Sequence, residues 1–219
     1  MEKLDLNITP EPRRFPEGRY FVCHPGSSAQ RGMDLKRLPP EVFADLIRRV
    51  HAALGLPAVL VGGPEEGHIR NAIQDLVPGA CLNPVTWGLE QAAGVIARAE
   101  FFLGNDSGLM HMAAALGLPC LAFFGPTDDR RNGPVGGNHL ILRRDLSCSP
   151  CWTAMNVGKR VECMHWDYRC LRAFTADEAW PAIRDHLQGM GYPKPEIPST
   201  DWQWKHPGGG SQSGKGIPK

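Results

Sequence analysis

Asp106, Ser107, Gly108 and His111 lie in one short stretch. An apolar run, Phe101-Phe102-Leu103, precedes them, and apolar residues at Leu109, Met112, Ala113 and Leu116 follow at helical spacing. A strand that turns into a helix leaves free N–H groups and a positive dipole end at the helix start, which favours an anion. Asp106 or Ser107 can cap that helix. His111 sits one turn in, on the face away from Met112, and can reach over the same opening. The plain alternative is a parallel α/β core whose glycines only turn corners.

Three further sets of residues suit a ligand of this kind. Ser27 and Ser28 follow an apolar run, with Gly26 before them, so hydroxyls and exposed N–H groups could hold a phosphate; a plain tight turn is the alternative. Gly62-Gly63-Pro64-Glu65-Glu66 closes a second run, where a carboxylate can accept hydrogen bonds from a ribose diol. Spacing assigns Glu66, with Glu65 as the alternative and a dipole-complementing helix acid as the plain reading. Trp87 lies in a loop before a helix and can cover an adenine face, or pack on the domain edge. Separately, Cys148-x2-Cys151-x11-Cys163-x6-Cys170 offers four thiolates in a pattern that fits tetrahedral zinc. Two disulfides or four free thiols are the alternatives.

The elements that must position these residues alternate along the chain. Strands are expected at 19–23, 58–61, 79–82, 101–103, 118–124 and 139–142. Helices are expected from Pro39 or Pro40 with Val42, Phe43, Leu46, Ile47 and Val50 inward, over 65–76, 89–99 and 109–116, and from a Thr175 cap to about Gln188. Strand-helix alternation argues for an α/β, doubly wound, mostly parallel sheet of about six strands. The stretches between Ser28 and Leu38 and from Asp128 to Asn138 read as loops. Residues 1–18 read as an arm, 19–190 as one domain with a cysteine-bearing excursion at 143–172, and 191–219, with GGGSQSGKG, as a tail of disordered composition.

Composition narrows the function classes. Lys+Arg of 24 against Asp+Glu of 23 leaves a net charge of +1, no broad field for nucleic acid or an acidic membrane. No apolar run approaches a membrane span. A soluble, cytoplasmic chain is expected. Its seven cysteines then point to thiols or metal rather than a disulfide framework, with Cys23, Cys81 and Cys120 as small buried hydrophobes.

The ordered string Asn105-Asp106-Ser107-Gly108-x-x-His111-x-Ala113-Ala114-Ala115-x-Gly117-x-Pro119, followed by Phe124-Gly125-Pro126-Thr127, resembles the donor-site signature of glycosyltransferase family 9. These are heptosyltransferases that use ADP-heptose to build lipopolysaccharide core. The family usually shows Asp-Thr-Gly, so Ser107 is a conservative departure. The resemblance covers about residues 19–190 and implies the carboxyl-terminal, nucleotide-sugar half of a two-domain GT-B transferase. It implies that Lys36 neutralises the donor pyrophosphate, with Arg31 or Arg37 as alternatives, although Leu38 stands where the family often has Trp. It implies that Asp106 binds donor sugar hydroxyls, that Ser107 and Gly108 present N–H groups to the diphosphate, and that His111 adds a donor. Family members often carry a similar Cys-Ser-Pro-Cys stretch. Such a mechanism needs no catalytic metal, although Asp128-Asp129 could hold magnesium. The base that activates a glycan or lipid-linked acceptor would come from an amino-terminal domain or a separate chain, so no catalytic residue is expected here. The other function classes are a non-catalytic nucleotide-sugar-binding module and a UDP-sugar 2-epimerase-like enzyme.

Overall fold

The computed structural model describes residues 17–28, 30–82, 88–152 and 162–193. Its strands are β1 Phe21–His24, β2 Ala58–Leu60, β3 Cys81–Leu82, β4 Phe102–Asn105, β5 Cys120–Phe123 and β6 Leu140–Leu142. Helices α1 Pro40–Leu54, α2 Gly67–Leu76, α3 Leu89–Ile96 and α4 Gly108–Ala115 alternate with them, followed by the short α5 Asp129–Asn132 and α6 Arg169–Arg172, and by α7 Ala176–Gly189. All pairings are parallel, and the order is β3-β2-β1-β4-β5-β6. This is the order of doubly wound dinucleotide folds, and it reverses direction between β1 and β4.

The strands are continuous apolar runs because helices cover both faces. Phe21, Cys23, Leu60, Leu103, Leu121 and Phe123 point into one core with α1, α2 and α7. Val22, Val59, Phe102, Cys120 and Ala122 point into the other, against α3 and α4. α1 starts with Pro40 at a position where the missing N–H costs nothing, and Gly55 ends it in the left-handed conformation. Thr175 caps α7 with a reciprocal Glu178 contact.

The expected helices and strands are present with small boundary shifts, and three differences matter. Gln30–Lys36 is a 3-10 helix rather than a loop. It carries no apolar periodicity and is held from outside: Ser27 Oγ donates to the Met33 carbonyl at 2.7 Å. Asn105 belongs to β4, since its register with Phe123 continues the ladder past the expected turn. Within the stretch read as a loop after Thr127, Asp128 caps α5 by accepting from the Arg130 N–H. Among the described residues no helix is long and apolar enough to cross a membrane. Cys23, Cys81 and Cys120 are buried, and burial pushes the Cys81 thiol up to about 11 and that of Cys120 up to about 12. They are inert packing groups at neutral pH.

Candidate functional site

Ligands of doubly wound sheets sit outside the carboxyl ends of the strands where the order reverses. Here that place is the crevice between the ends of β1 and β4. A cleft of about 500 Å³ opens there, lined by the polar residues His24, Ser28, Glu65, Glu66 and Ser107, by Gly108, and by the apolar residues Leu89, Ala92, Leu109 and Met112.

The polar lining residues are braced. Glu66 is 4% exposed. Its Oε2 accepts from the Gly63 N–H at 2.8 Å and lies 3.2 Å from His24 Nε2. The other ring nitrogen of His24, Nδ1, lies 2.9 Å from Ser107 Oγ. Ser107 Oγ also accepts from the Met110 N–H at 3.3 Å, so it caps α4. Gly26 is required beside this carboxylate, because a Cβ there would fall 1.8 Å from Glu66 Oε1. Burial pushes the Glu66 carboxyl up, but the His24 hydrogen bond and charge, the Gly63 N–H and Arg37 outweigh it and hold the group below its ordinary value. The first N–H groups of α4 have no intrahelical acceptor by position. That of Met110 is taken by Ser107, and Gly108 and Leu109 line the cleft.

Beyond Ser107, Lys36 Nζ holds Asp106 Oδ2 at 2.9 Å, and both side chains are largely buried. The buried Asn105 ties this region together. Its Nδ2 donates to the carbonyls of Pro25 and Gly26 at 2.8 and 3.2 Å, and its Oδ1 accepts from the Leu38 N–H at 3.1 Å. One side chain thus fixes the turn after β1 and the exit of the 3-10 helix that carries Lys36.

The model of glycosyltransferase family 9 (heptosyltransferase) matches residues 9–161, most of this chain. The chain belongs to glycosyltransferase family 9. The lipooligosaccharide heptosyltransferase 2 of Haemophilus influenzae is 35% identical over 113 residues, which are 49% of this chain and 32% of the relative. The lipopolysaccharide heptosyltransferase 1 of Pseudomonas aeruginosa is 42% identical over 59 residues, 27% of this chain and 17% of the relative. The matches therefore span a third or less of these curated relatives. The structure of Escherichia coli ADP-heptose lps heptosyltransferase II superposes with a TM-score of 0.61 at 22% identity, over 80% of this chain and 49% of that one. That likeness is one of fold.

Within this family 9 chain, the structure brings together Ser28, Glu66, Ser107 and Gly108 around the cleft, with Lys36 and Asp106 paired beside it. Ser27 is turned inward: it is 1% exposed, its hydroxyl donates to Met33 and accepts from Arg37 Nε at 3.3 Å. Arg37 is thus occupied with this turn. His111 is exposed on α4 and does not line the cleft. Trp87 lies outside the described residues. Asp128 pairs with Arg130, and Asp129 with Arg143. Two buried groups, His24 and Asn105, were missed as site residues because each reads as part of a turn. The signal for His24 is its position, a titratable residue at the end of the first strand directly before the small-residue turn.

The four excursion cysteines, Cys148, Cys151, Cys163 and Cys170, all lie among the described residues, Cys170 buried and the other three half-buried. Burial first, then Cys151, Cys163 and Cys148, push the Cys170 thiol up to about 11. Cys170 lies against the loop after β5, where a Cβ on Gly125 would meet Leu171 at 2.6 Å and Cys170 Sγ at 3.1 Å. Cysteine is present as free thiol throughout. Among the described residues no group of three or more His, Cys, Asp or Glu is arranged to hold a metal ion.

Proposed function

We propose that this chain is the donor-binding half of an inverting, metal-independent heptosyltransferase, with ADP-heptose as donor. The observation that carries the reading is the cleft at the strand reversal, lined by polar and apolar residues and by the start of α4. Its apolar lining residues Leu89, Ala92, Leu109 and Met112 suit a purine base. Glu66 and the turn after β2 stand where a ribose would lie, although both ends of the Glu66 carboxylate are already packed. The N–H groups of Gly108 and Leu109 suit the diphosphate, and Lys36 and Asp106 stand on the side where the sugar would emerge. Lys36 and the helix end would offset the charge of the leaving diphosphate without a metal. The base that deprotonates the acceptor must stand on the far face of the anomeric carbon. The polar groups described here gather on the diphosphate side, so that base is assigned to another domain or chain. With it would come the positioning worth about 7–11 kcal/mol in a reaction of this kind.

Calorimetry and a transfer assay on the 219-residue chain test this. ADP and ADP-sugars should bind, with transfer to a lipopolysaccharide-core acceptor near background. Tighter binding of UDP than ADP would move the chain to the UDP-sugar 2-epimerase reading. Robust transfer by the chain alone would place the base within it.

A structural zinc at Cys148, Cys151, Cys163 and Cys170 is the second proposal. The donor set fits zinc in type and number, and the other three thiols contribute to the raised value of Cys170. As described, the positions form no metal-holding group, so binding requires the thiols to close in. Protein purified without added metal should contain about one zinc per chain, as four-ligand sites do, with the four thiols alkylated only after chelation. Metal-free protein whose thiols react at once would reject the zinc.

A further inference from the structure

A second cavity, of about 400 Å³, opens at the ends of β5 and β6. Because every pairing is parallel, it lies on the same edge of the sheet as the cleft. It is lined by Asp129 and Arg130 of α5, by Arg143, Arg144 and Asp145 directly after β6, and by Ser149 of the excursion, with one proline as its apolar part. Its volume falls within the ~300–1,000 Å³ of small-ligand sites. The donor reading gives none of these residues a role.

The lining is held from several segments. Arg143 pairs with Asp129 and donates to Ser149 Oγ at 3.0 Å, and Ser149 Oγ donates to the Gly125 carbonyl at 2.6 Å. Arg144 donates to the Arg169 carbonyl at 2.9 Å, and its Nε lies 3.3 Å from Glu178 Oε1 of α7. A guanidinium has five N–H donors and a carboxylate about four acceptor positions. Arg143, Arg144 and Asp129 can therefore keep these contacts and still bond a ligand. Side chains fixed in advance lower the cost of ordering them on binding. Asp145 is exposed at the rim.

Charge decides the class of ligand. Arg130, Arg143 and Arg144 against Asp129 and Asp145 leave one positive charge in the lining. Asp128, which pairs with Arg130, and Glu178 beside Arg144 turn that into one negative charge. An anion gains no net attraction there and meets two carboxylates. A hydroxyl both donates and accepts. A ring that bears several can give hydrogens to Asp129 and Asp145 and take them from Arg143 and Arg144, and bonds to charged partners are stronger than neutral ones.

We propose that this cavity is a subsite for a sugar of the acceptor glycan other than the one that reacts, recognised through its hydroxyl groups. The proposal rests on the donor reading above, which puts the transferred sugar by Lys36 and Asp106 at the end of β4. Neighbouring strands lie about 4.8 Å apart, so the end of β6 is on the order of 10 Å further along the edge. The base and the reacting hydroxyl stay with the other domain or chain, and this cavity holds the acceptor at a second point.

The test is saturation-transfer NMR on the 219-residue chain with a neutral heptose disaccharide, alongside calorimetry with ADP. Sugar protons should receive saturation from the unmodified chain. Asp145→Ala removes an exposed acceptor and Arg144→Ala a donor. Each should weaken disaccharide binding roughly three- to tenfold, the scale of one such bond, with ADP affinity as before. An excess of inorganic phosphate should leave the sugar signal in place. Displacement by phosphate would make the cavity an anion site and overturn the proposal. A signal that survives both variants at full strength places the sugar elsewhere and overturns it too. Normal ADP binding with no sugar signal overturns this proposal alone, whereas absence of ADP binding overturns the donor reading and the acceptor assignment with it.

Discussion

Asn105→Ala should be the most destabilising single change near the cleft. Asn105 is fully buried, and its amide satisfies three backbone groups from two separate segments: the carbonyls of Pro25 and Gly26 and the N–H of Leu38. Removing it leaves these groups buried without their partner, at about 1–3 kcal/mol for each one that water cannot reach. It also leaves a small cavity, although relaxation of the turn recovers part of both costs. A net loss of about 3–5 kcal/mol is expected. For a domain of this size that lowers the melting temperature by roughly 6–20 °C, at about 2–4 °C per kcal/mol. The same change frees the turn before Ser27 and the exit of the Lys36 helix, so ADP affinity should fall with stability. Asn105→Asp separates the two effects: it keeps the acceptor for Leu38 but puts a carboxylate oxygen against two carbonyls, and should be no better than Ala. A thermal melt within 2 °C of the unmodified chain, measured to that precision for either variant, would mean that the turn is held by other bonds.

Asn105 also shows where reading the sequence reaches its limit. The sheet was legible because parallel strands covered on both faces must be apolar throughout, and Phe21-Val22-Cys23, Ala58-Val59-Leu60 and Cys120-Leu121-Ala122-Phe123 are such runs. The place of the cleft was legible for the same reason: alternating strands and helices put every βα turn at one edge. The partners within the cleft were not. Asn105 and His24 are polar residues at strand ends, and whether such a group caps a turn, meets solvent or bridges two strands is settled by neighbours far away in the chain. Lys36 and Asp106 were each assigned to a ligand, yet they meet each other across seventy positions. Glu66 lies at the turn after β2, but its burial behind Gly26 and its hold on His24 are tertiary facts. The 3-10 helix over Gln30–Lys36 has no pattern of its own to read.

Lys36→Ala should weaken ADP binding more than any change among the apolar lining residues, and the structure supplies a reason beyond the lost cation. Lys36 and Asp106 are 12% and 6% exposed at the side chain, so their pair is poorly reached by water. An ammonium has three N–H donors, so Nζ can hold Asp106 and a phosphate oxygen at once. Truncating Lys36 removes a charge-assisted bond, worth about 1.5–3 kcal/mol. It also leaves the Asp106 carboxylate uncompensated beside the place where the diphosphate would sit, and that repulsion adds to the loss. Affinity for ADP should therefore fall by roughly 10- to 150-fold, the range that 1.5–3 kcal/mol gives. The repulsive share can be measured apart. Asp106→Asn alone should leave ADP binding unchanged or somewhat tighter, because Lys36 no longer divides its charge. The double variant Lys36→Ala with Asp106→Asn should recover part of the affinity lost by Lys36→Ala, a non-additivity expected only of residues in contact. An ADP-sugar should respond differently. If Asp106 accepts from sugar hydroxyls, Asp106→Asn weakens the ADP-sugar while sparing ADP. Equal effects on the two ligands would take Asp106 away from the sugar, and unchanged ADP affinity in Lys36→Ala would take Lys36 away from the diphosphate and leave its work to the α4 helix end alone.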